Sequence, residues 1–159
     1  MKIGYFHASV YGNGAKVAEE FKRLMGARGV DVDVQHIKQA RPKELTPADL
    51  YIFSSPGRFG KPPWGVRRFL KKVKLPPGTR YAILTTEGAP QPDPKTGKLP
   101  TAEEDARWHR IKPVMNEILQ GKGLVKVAEA TVLVTGLKGP LEDGWQRKVE
   151  EFSARIPLC

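Results

Sequence analysis

The chain has 159 residues, the size of one domain, so we expect a single domain spanning residues 1–159. Hydrophobic residues make up 40% of it, but no apolar run approaches the roughly 20 residues that span a bilayer, which predicts no membrane association. The lack of a secretory leader pattern after Met1 predicts a cytoplasmic location. The single cysteine, Cys159, excludes an intrachain disulfide, and the formal net charge of +10 predicts attraction to anionic partners.

Apolar patterns along the chain alternate between strand and helix. Short apolar or alternating segments predict five strands, at residues 3–6, 30–34, 50–53, 81–84 and 125–134. Helical spacing of apolar residues predicts helices within residues 17–25, 66–73, 101–119 and 141–156, with Pro113 expected to kink or restart the third. Five βα units with short connections predict an α/β fold, a doubly wound five-stranded parallel sheet of order 2-1-3-4-5 with helices on both faces.

In such a sheet the ligand crevice lies beyond the carboxyl ends of strands one and three, where the strand order reverses. The loops that reach it cover residues 6–16 and 54–64. A further loop after the fourth strand, beginning at Thr85 and Thr86, is expected to add backbone and hydroxyl groups nearby. The proline- and glycine-rich residues 87–100 predict a lid or a binding loop.

The first of these loops contains Gly12 and Gly14 and leads directly into a helix. Glycines let backbone N–H groups turn inward, and a helix N-terminus carries partial positive charge, so the loop suits an anion. Ser9 would add a hydroxyl donor and Lys16 a full charge. An ordinary turn between a strand and a helix uses the same residue types, and the loop alone does not decide between the two interpretations.

Both crevice loops resemble those of known flavoproteins. The run Ser9, Val10, Tyr11, Gly12 and Asn13 is similar to the phosphate loop of the flavodoxin superfamily. The run Pro56, Gly57, Arg58, Phe59 and Gly60 is similar to the flavin loop of WrbA-type NAD(P)H:quinone oxidoreductases. The resemblance covers roughly residues 1–85 and implies a flavodoxin-like domain that holds FMN. Gly14 and Lys16 depart from the pattern, since these families carry hydroxyl residues there, so fewer hydroxyls would hold the phosphate.

The residue types of the second loop fit the same cofactor. A flavin needs an apolar surface against its ring, from Phe59 or Trp64, and backbone polar groups at its edge, from residues 57–60. Trp64 could instead pack at the start of the following helix. The predicted cofactor-binding residues are Ser9, Val10, Tyr11, Gly12, Asn13, Gly14, Lys16, Pro56, Gly57, Arg58, Phe59, Gly60, Thr85, Thr86, Glu87 and Gly88.

The histidines indicate neither a catalytic group nor a metal site. His7 and His36 end the first and second strands, and His109 is expected within the long third helix. Their positions supply no clustered metal-ligand spacing and no Ser-His-Asp set, so structural roles are expected for all three.

Positive charge is concentrated in one segment of the chain. Between Asp49 and Glu87 there is no acidic residue, whereas the following are basic: Arg58, Lys61, Arg67, Arg68, Lys71, Lys72, Lys74 and Arg80. Most fall on the polar face of the predicted second helix, where Arg67, Lys71 and Lys74 are expected to face water. A plain solvated face is the simplest interpretation, but its position after the flavin loop favours steering of anionic partners.

The favoured function is an FMN-dependent oxidoreductase that passes electrons through the flavin. Its electron donor would be a pyridine nucleotide or an acidic redox protein, and its acceptor a quinone-like or other small molecule. The alternative is a small flavodoxin that carries electrons for an acidic protein partner. The charge also permits a flavin-free nucleic-acid-binding module, but nucleic acid is not expected as a partner because no recognised motif is present. A homo-oligomer is compatible with the sequence.

Overall fold

The computed structural model describes residues 1–58, 60–136 and 138–158. Its described strands are β1 (Lys2–His7), β2 (Asp31–His36), β3 (Leu50–Pro56), β4 (Arg80–Gly88) and β5 (Val125–Val134). They form one parallel sheet of order β2-β1-β3-β4-β5. The predicted fold class and strand order are therefore confirmed.

Helices connect the strands and cover both faces of the sheet. They are α1 (Asn13–Gly26), α2 (Trp64–Lys72), α3 (Ala102–Trp108), α4 (Ile111–Gln120) and α5 (Trp145–Arg155), with a short 3₁₀ helix at Ile37–Gln39. Phe21 of α1 and Phe152 of α5 pack on one face of the sheet, and Phe69 of α2 and Met115 of α4 on the other. Burial on both faces explains why the central strands are almost continuously apolar. No helix in the described residues is long and apolar enough to cross a membrane.

Three boundaries differ from the sequence prediction. Strand β4 continues to Gly88, so Thr85, Thr86 and Glu87 are buried strand residues and the prediction of a loop there is wrong. The predicted third helix is two helices, and His109 lies at the end of α3 instead of within a helix. Pro113 is the third residue of α4, where a missing N–H costs nothing, so the chain restarts its helix just before the proline. The last helix begins at Trp145, after Leu141 rather than with it.

Candidate functional site

The loop between β1 and α1 folds back on Ser9. The N–H of Gly12 donates to Ser9 Oγ at 3.0 Å, and Gly12 has a positive φ of 89°, which its missing Cβ makes accessible. A Cβ at Gly14 would lie 3.2 Å from Ser9 Cβ, so the loop and the first turn of the helix are in close contact. Among the described residues the Ser9 hydroxyl has no acceptor for its own proton, so that proton is available to a ligand.

The start of α1 supplies further donors. The N–H of Lys16 bonds to the Gly12 carbonyl at 3.0 Å and begins the helical ladder. The earlier N–H groups of Asn13, Gly14 and Ala15 are those that a helix leaves without an intrahelical acceptor. Together with the Ser9 hydroxyl they form a group of hydrogen-bond donors at the positively charged end of a helix. Such a group is suited to binding an anion.

Two predicted phosphate ligands have other contacts. The Asn13 side-chain amide donates to the carbonyl of Lys138 at 3.2 Å, so it ties the loop to the connection between β5 and α5. Lys16 is exposed and lines a shallow groove between α1 and α5 with Glu19, Glu20, Arg23 and Trp145. The structure thus brings Ser9, Gly12 and Gly14 together, while the exposed Lys16 side chain has acidic neighbours in a groove that Gly12 also lines.

The loop between β3 and α2 packs against the junction of α3 and α4. The Gly57 N–H bonds to the Thr86 carbonyl at 3.0 Å, and the Arg110 N–H bonds to the Gly60 carbonyl at 2.6 Å. A Cβ on Gly57 would lie 2.5 Å from Ile111 Cδ1, and one on Gly60 would lie 1.9 Å from the Trp108 carbonyl oxygen. Close packing on this junction therefore accounts for both glycines. The predicted site residue Phe59 lies outside the described residues.

The predicted fourth-strand residues are divided between two roles. The Thr85 hydroxyl donates to Glu87 Oε2 at 2.6 Å, and the Thr131 hydroxyl donates to the same oxygen at 2.9 Å. Lys112 Nζ completes this network by donating to Thr131 Oγ1 at 2.6 Å. Glu87, Lys112 and Thr131 line a cavity of about 530 Å³, and Thr85 is buried beside it through its bond to Glu87. Thr86 contributes its carbonyl to Gly57, and Gly88 is exposed at the end of the strand.

Large exposed apolar side chains gather at the carboxyl edge of the sheet. They are Val10 at 71% exposure, Tyr11 at 53%, Trp64 at 65%, Leu99 at 62% and Trp108 at 58%. Each lies in a segment that follows the carboxyl end of β1, β3 or β4. Scattered exposed apolar residues need no explanation, but a set grouped at one edge indicates a ligand or partner surface. The sequence analysis did not predict Leu99 and Trp108 as site residues. The one feature that could have indicated them is their position within or close to the proline- and glycine-rich loop after β4.

The position of Trp64 excludes packing at the start of the helix, one of its two interpretations, and leaves contact with a flavin as a prediction. Trp64 is the first residue of α2 and is mostly exposed, so it does not pack into the core at the helix start. The Arg68 guanidinium lies 5.2 Å from the centre of its ring, a cation–π contact that leaves the rest of the indole accessible.

The basic residues near the site are arranged differently from the prediction. Lys74 lies beyond the end of α2, and Arg67 is half-buried, with its Nε buried and without a hydrogen-bond partner among the described residues. The expectation that both face water therefore holds for Lys74, which is exposed although it lies outside the helix, and only in part for Arg67. Lys61, Arg68, Lys71 and Lys72 are exposed, so a positive surface does extend along α2 from the second loop.

Comparison with solved structures supports the fold. Flavodoxin 2 from Bacillus cereus superposes with a TM-score of 0.71 at 17% identity, covering 98% of this chain and 97% of that one. A flavodoxin from the domain Archaea gives 0.66 at 17% identity, with 98% of each chain covered. The rubredoxin oxygen:oxidoreductase of Desulfovibrio gigas gives 0.67 at 16% identity, but this chain spans only 35% of its length.

The fold is therefore flavodoxin-like. No protein-family model matches the sequence, and no curated protein matches it either. The resemblance of the second loop to WrbA-type quinone oxidoreductases stays a prediction, because the structural similarity bears on the fold alone.

Proposed function

We propose that the protein binds FMN at the carboxyl edge of its sheet and transfers electrons through it. One observation carries the proposal. The loop at Ser9, which suits an anion, and the exposed aromatic side chains of Tyr11 and Trp64 lie at the same edge of the sheet. A phosphate and a flat apolar ring are the two parts of FMN, and each has a matching surface there. The flavodoxin-like fold places ligands at this same edge.

Different residues would bind different parts of the cofactor. Ser9 and the first turn of α1 would hold the phosphate, while Trp64, Tyr11 or both would cover a face of the ring. The Gly57 carbonyl would meet the polar edge of the ring, in a loop held in place by the bond from Gly57 to Thr86 and by the two backbone bonds between Arg58 and Lys61. Bound FMN would supply the reversible redox chemistry, and these side chains would orient it and exclude water from it.

We favour an oxidoreductase that receives electrons from a pyridine nucleotide or an acidic redox protein and reduces a quinone-like or other small acceptor. Exposed Leu99 and Trp108 support this assignment, because they offer an apolar surface for a small acceptor near the ring. The second candidate is an electron carrier. Its support is that the chain aligns with nearly the whole length of single-domain flavodoxins.

The test is reconstitution of the purified chain with FMN, FAD and riboflavin, followed by flavin and tryptophan fluorescence. We expect FMN to bind in the micromolar range or tighter, more strongly than riboflavin, with quenching of tryptophan fluorescence. Trp64→Leu should remove much of that quenching. Failure of both FMN and FAD to bind below the high-micromolar range would overturn the proposal.

The two functions are separated by turnover. An oxidoreductase should reduce a soluble quinone with NADH or NADPH over many cycles, without a second protein. A carrier should be nearly inactive in that assay and should instead speed electron transfer between a reductase and an acidic protein acceptor.

A further inference from the structure

Two histidines hydrogen-bond to the backbone of Ser9, one to its N–H and the other to its carbonyl oxygen. His7 ends β1 and His36 ends β2, and the two lie opposite each other in the parallel register. His7 Nδ1 accepts the Ser9 N–H at 3.2 Å, and His36 Nε2 lies 3.1 Å from the Ser9 carbonyl oxygen. The rings meet edge to face with 5.1 Å between their centres. Among the described residues, this pair is the direct link between the strand ends and the loop at Ser9.

The hydrogen bonds define the protonation state of both rings. Nδ1 of His36 accepts the Lys38 N–H at 3.1 Å, so the ring proton of His36 is on Nε2, from which it is donated to Ser9. Nδ1 of His7 is likewise an acceptor and must carry a lone pair. Both imidazoles are therefore neutral in this arrangement, and a proton added at either Nδ1 abolishes a backbone hydrogen bond.

The surroundings of His7 favour the neutral form. Burial lowers the pKa of His7 below its usual range, the charge of a protonated His36 on β2 lowers it further, and Glu19 on α1 raises it by a smaller amount. In the unfolded chain the imidazole would titrate normally. The unfolded state therefore binds the proton first, and the stability that neutral His7 contributes is lost as pH falls below about 6.5.

We propose that His7 and His36 are positioning residues for Ser9, and that His7 holds Ser9 in its anion-binding conformation only while it is neutral, so that acidification weakens binding of a phosphate-bearing ligand. The inference rests on the proposed function at the same loop. Protonation of His7 removes the acceptor of the Ser9 N–H, and Ser9 in turn positions Gly12 and Gly14. The added positive charge acts in the opposite direction, and the proposal is that the lost hydrogen bond, which acts on Ser9 directly, outweighs it.

Two substitutions separate hydrogen bonding from titration. His7→Asn places a non-titrating amide oxygen where Nδ1 accepts the N–H two residues later, the geometry of an Asx turn. His36→Gln places a non-titrating amide nitrogen where Nε2 donates to Ser9. His109→Gln is the control for loss of a histidine away from Ser9, since His109 lies 3.4 Å from Glu87 Oε1 and 3.3 Å from Asp105 Oδ1.

The experiment measures dissociation constants of FMN and riboflavin for all four proteins, from pH 8 down to a pH below the NMR-observed titration of His7. Riboflavin lacks the phosphate, so the ratio of the two affinities isolates the phosphate contact. In the native chain and in His109→Gln we expect the ratio to favour FMN less below the NMR-observed titration of His7 than at pH 7.5, by roughly five-fold beyond the change in His7→Asn, the effect of one net hydrogen bond. The titration of the FMN phosphate itself is common to all variants.

A second measurement does not require flavin. In the apo chain, hydrogen exchange of the Ser9 amide should accelerate as pH falls through the NMR-observed titration of His7, after correction for intrinsic exchange, and should lose that extra acceleration in His7→Asn. If the exchange rate of the Ser9 amide in the native chain did not change as His7 titrates, the proposal would be overturned. This result would count whether or not the protein binds FMN. An affinity ratio that rises on acidification, or that changes equally in His7→Asn, would overturn it as well.

Discussion

The backbone of Gly60 lies against the carbonyl of Trp108, so close that a Cβ on the glycine would come within 1.9 Å of the carbonyl oxygen. Gly60 also has a φ of 73°, which disfavours any side chain. We therefore expect Gly60→Ala to lower the free energy of unfolding by roughly 2–4 kcal/mol, from overlap and backbone strain combined. Urea denaturation measures this directly.

Gly97 provides the matched control for this prediction. Its φ of 70° is nearly the same, but nothing lies within 4 Å of its Cβ position. Gly97→Ala should therefore cost about 1 kcal/mol, the strain alone. Equal losses for the two variants would show that the contact between Gly60 and Trp108 contributes nothing.

A second prediction concerns the phosphate loop. Ser9→Ala removes the partner of the Gly12 N–H and the free hydroxyl proton, and should weaken FMN by about 1–2 kcal/mol while leaving riboflavin nearly unchanged. Lys16→Ala should have a smaller effect on FMN, because the exposed side chain lies in the groove beside Glu19 and Glu20. Fluorescence titration gives both constants. If Lys16→Ala weakened FMN binding more than Ser9→Ala, the charge of Lys16 would have to act at the phosphate.

A third prediction concerns the ring. Trp64→Leu should weaken FMN and riboflavin equally, by roughly 1–2 kcal/mol, since both ligands carry the same flat ring. Val125→Thr changes an exposed apolar residue at the opposite edge of the sheet, at the start of β5, and should leave both affinities unaltered. A loss confined to FMN would show that Trp64 acts through the phosphate loop instead.

The apolar segments that alternate between strand and helix patterns were sufficient to predict a doubly wound parallel sheet, because a parallel sheet buried on both faces leaves its pattern in consecutive residues. The order of its strands was predicted together with the flavodoxin-like resemblance. The extension of β4 was not predictable in that way. Thr85 and Glu87 are polar, and they are buried because Thr131, 44 residues from Glu87, supplies a hydrogen bond. The histidine pair was also hidden, since His7 and His36 meet only once β1 and β2 are aligned.

The buried network at Glu87 leads to a fourth prediction. Glu87→Ala would remove the acceptor of the Thr85 and Thr131 hydroxyls, and with it the carboxylate of the network that Lys112 joins through Thr131, at a cost of about 2–4 kcal/mol in the free energy of unfolding. Glu44→Ala breaks an exposed ion pair with Arg41 and should cost less than about 1 kcal/mol. Chemical denaturation of the two variants compares them. Similar losses would mean that the Glu87 network is no more stabilising than a surface pair.

The last prediction concerns the positive surface along α2, which offers two exposed lysines at different distances from the site. Lys61 lies in the second loop, just before the start of α2, whereas Lys71 lies seven residues into the helix from Trp64. A rise of about 1.5 Å per residue separates Trp64 from Lys71 by roughly 10 Å, about one Debye length at 0.1 M salt. We therefore expect Lys61→Glu to slow electron exchange with an anionic redox partner several-fold at low salt, and Lys71→Glu, with the same change of charge, to slow it less. Stopped-flow rates across an ionic-strength series measure both, and an uncharged quinone should respond to neither. Identical slowing by the two substitutions would show that net charge alone steers the partner and that the carboxyl edge is not where it arrives.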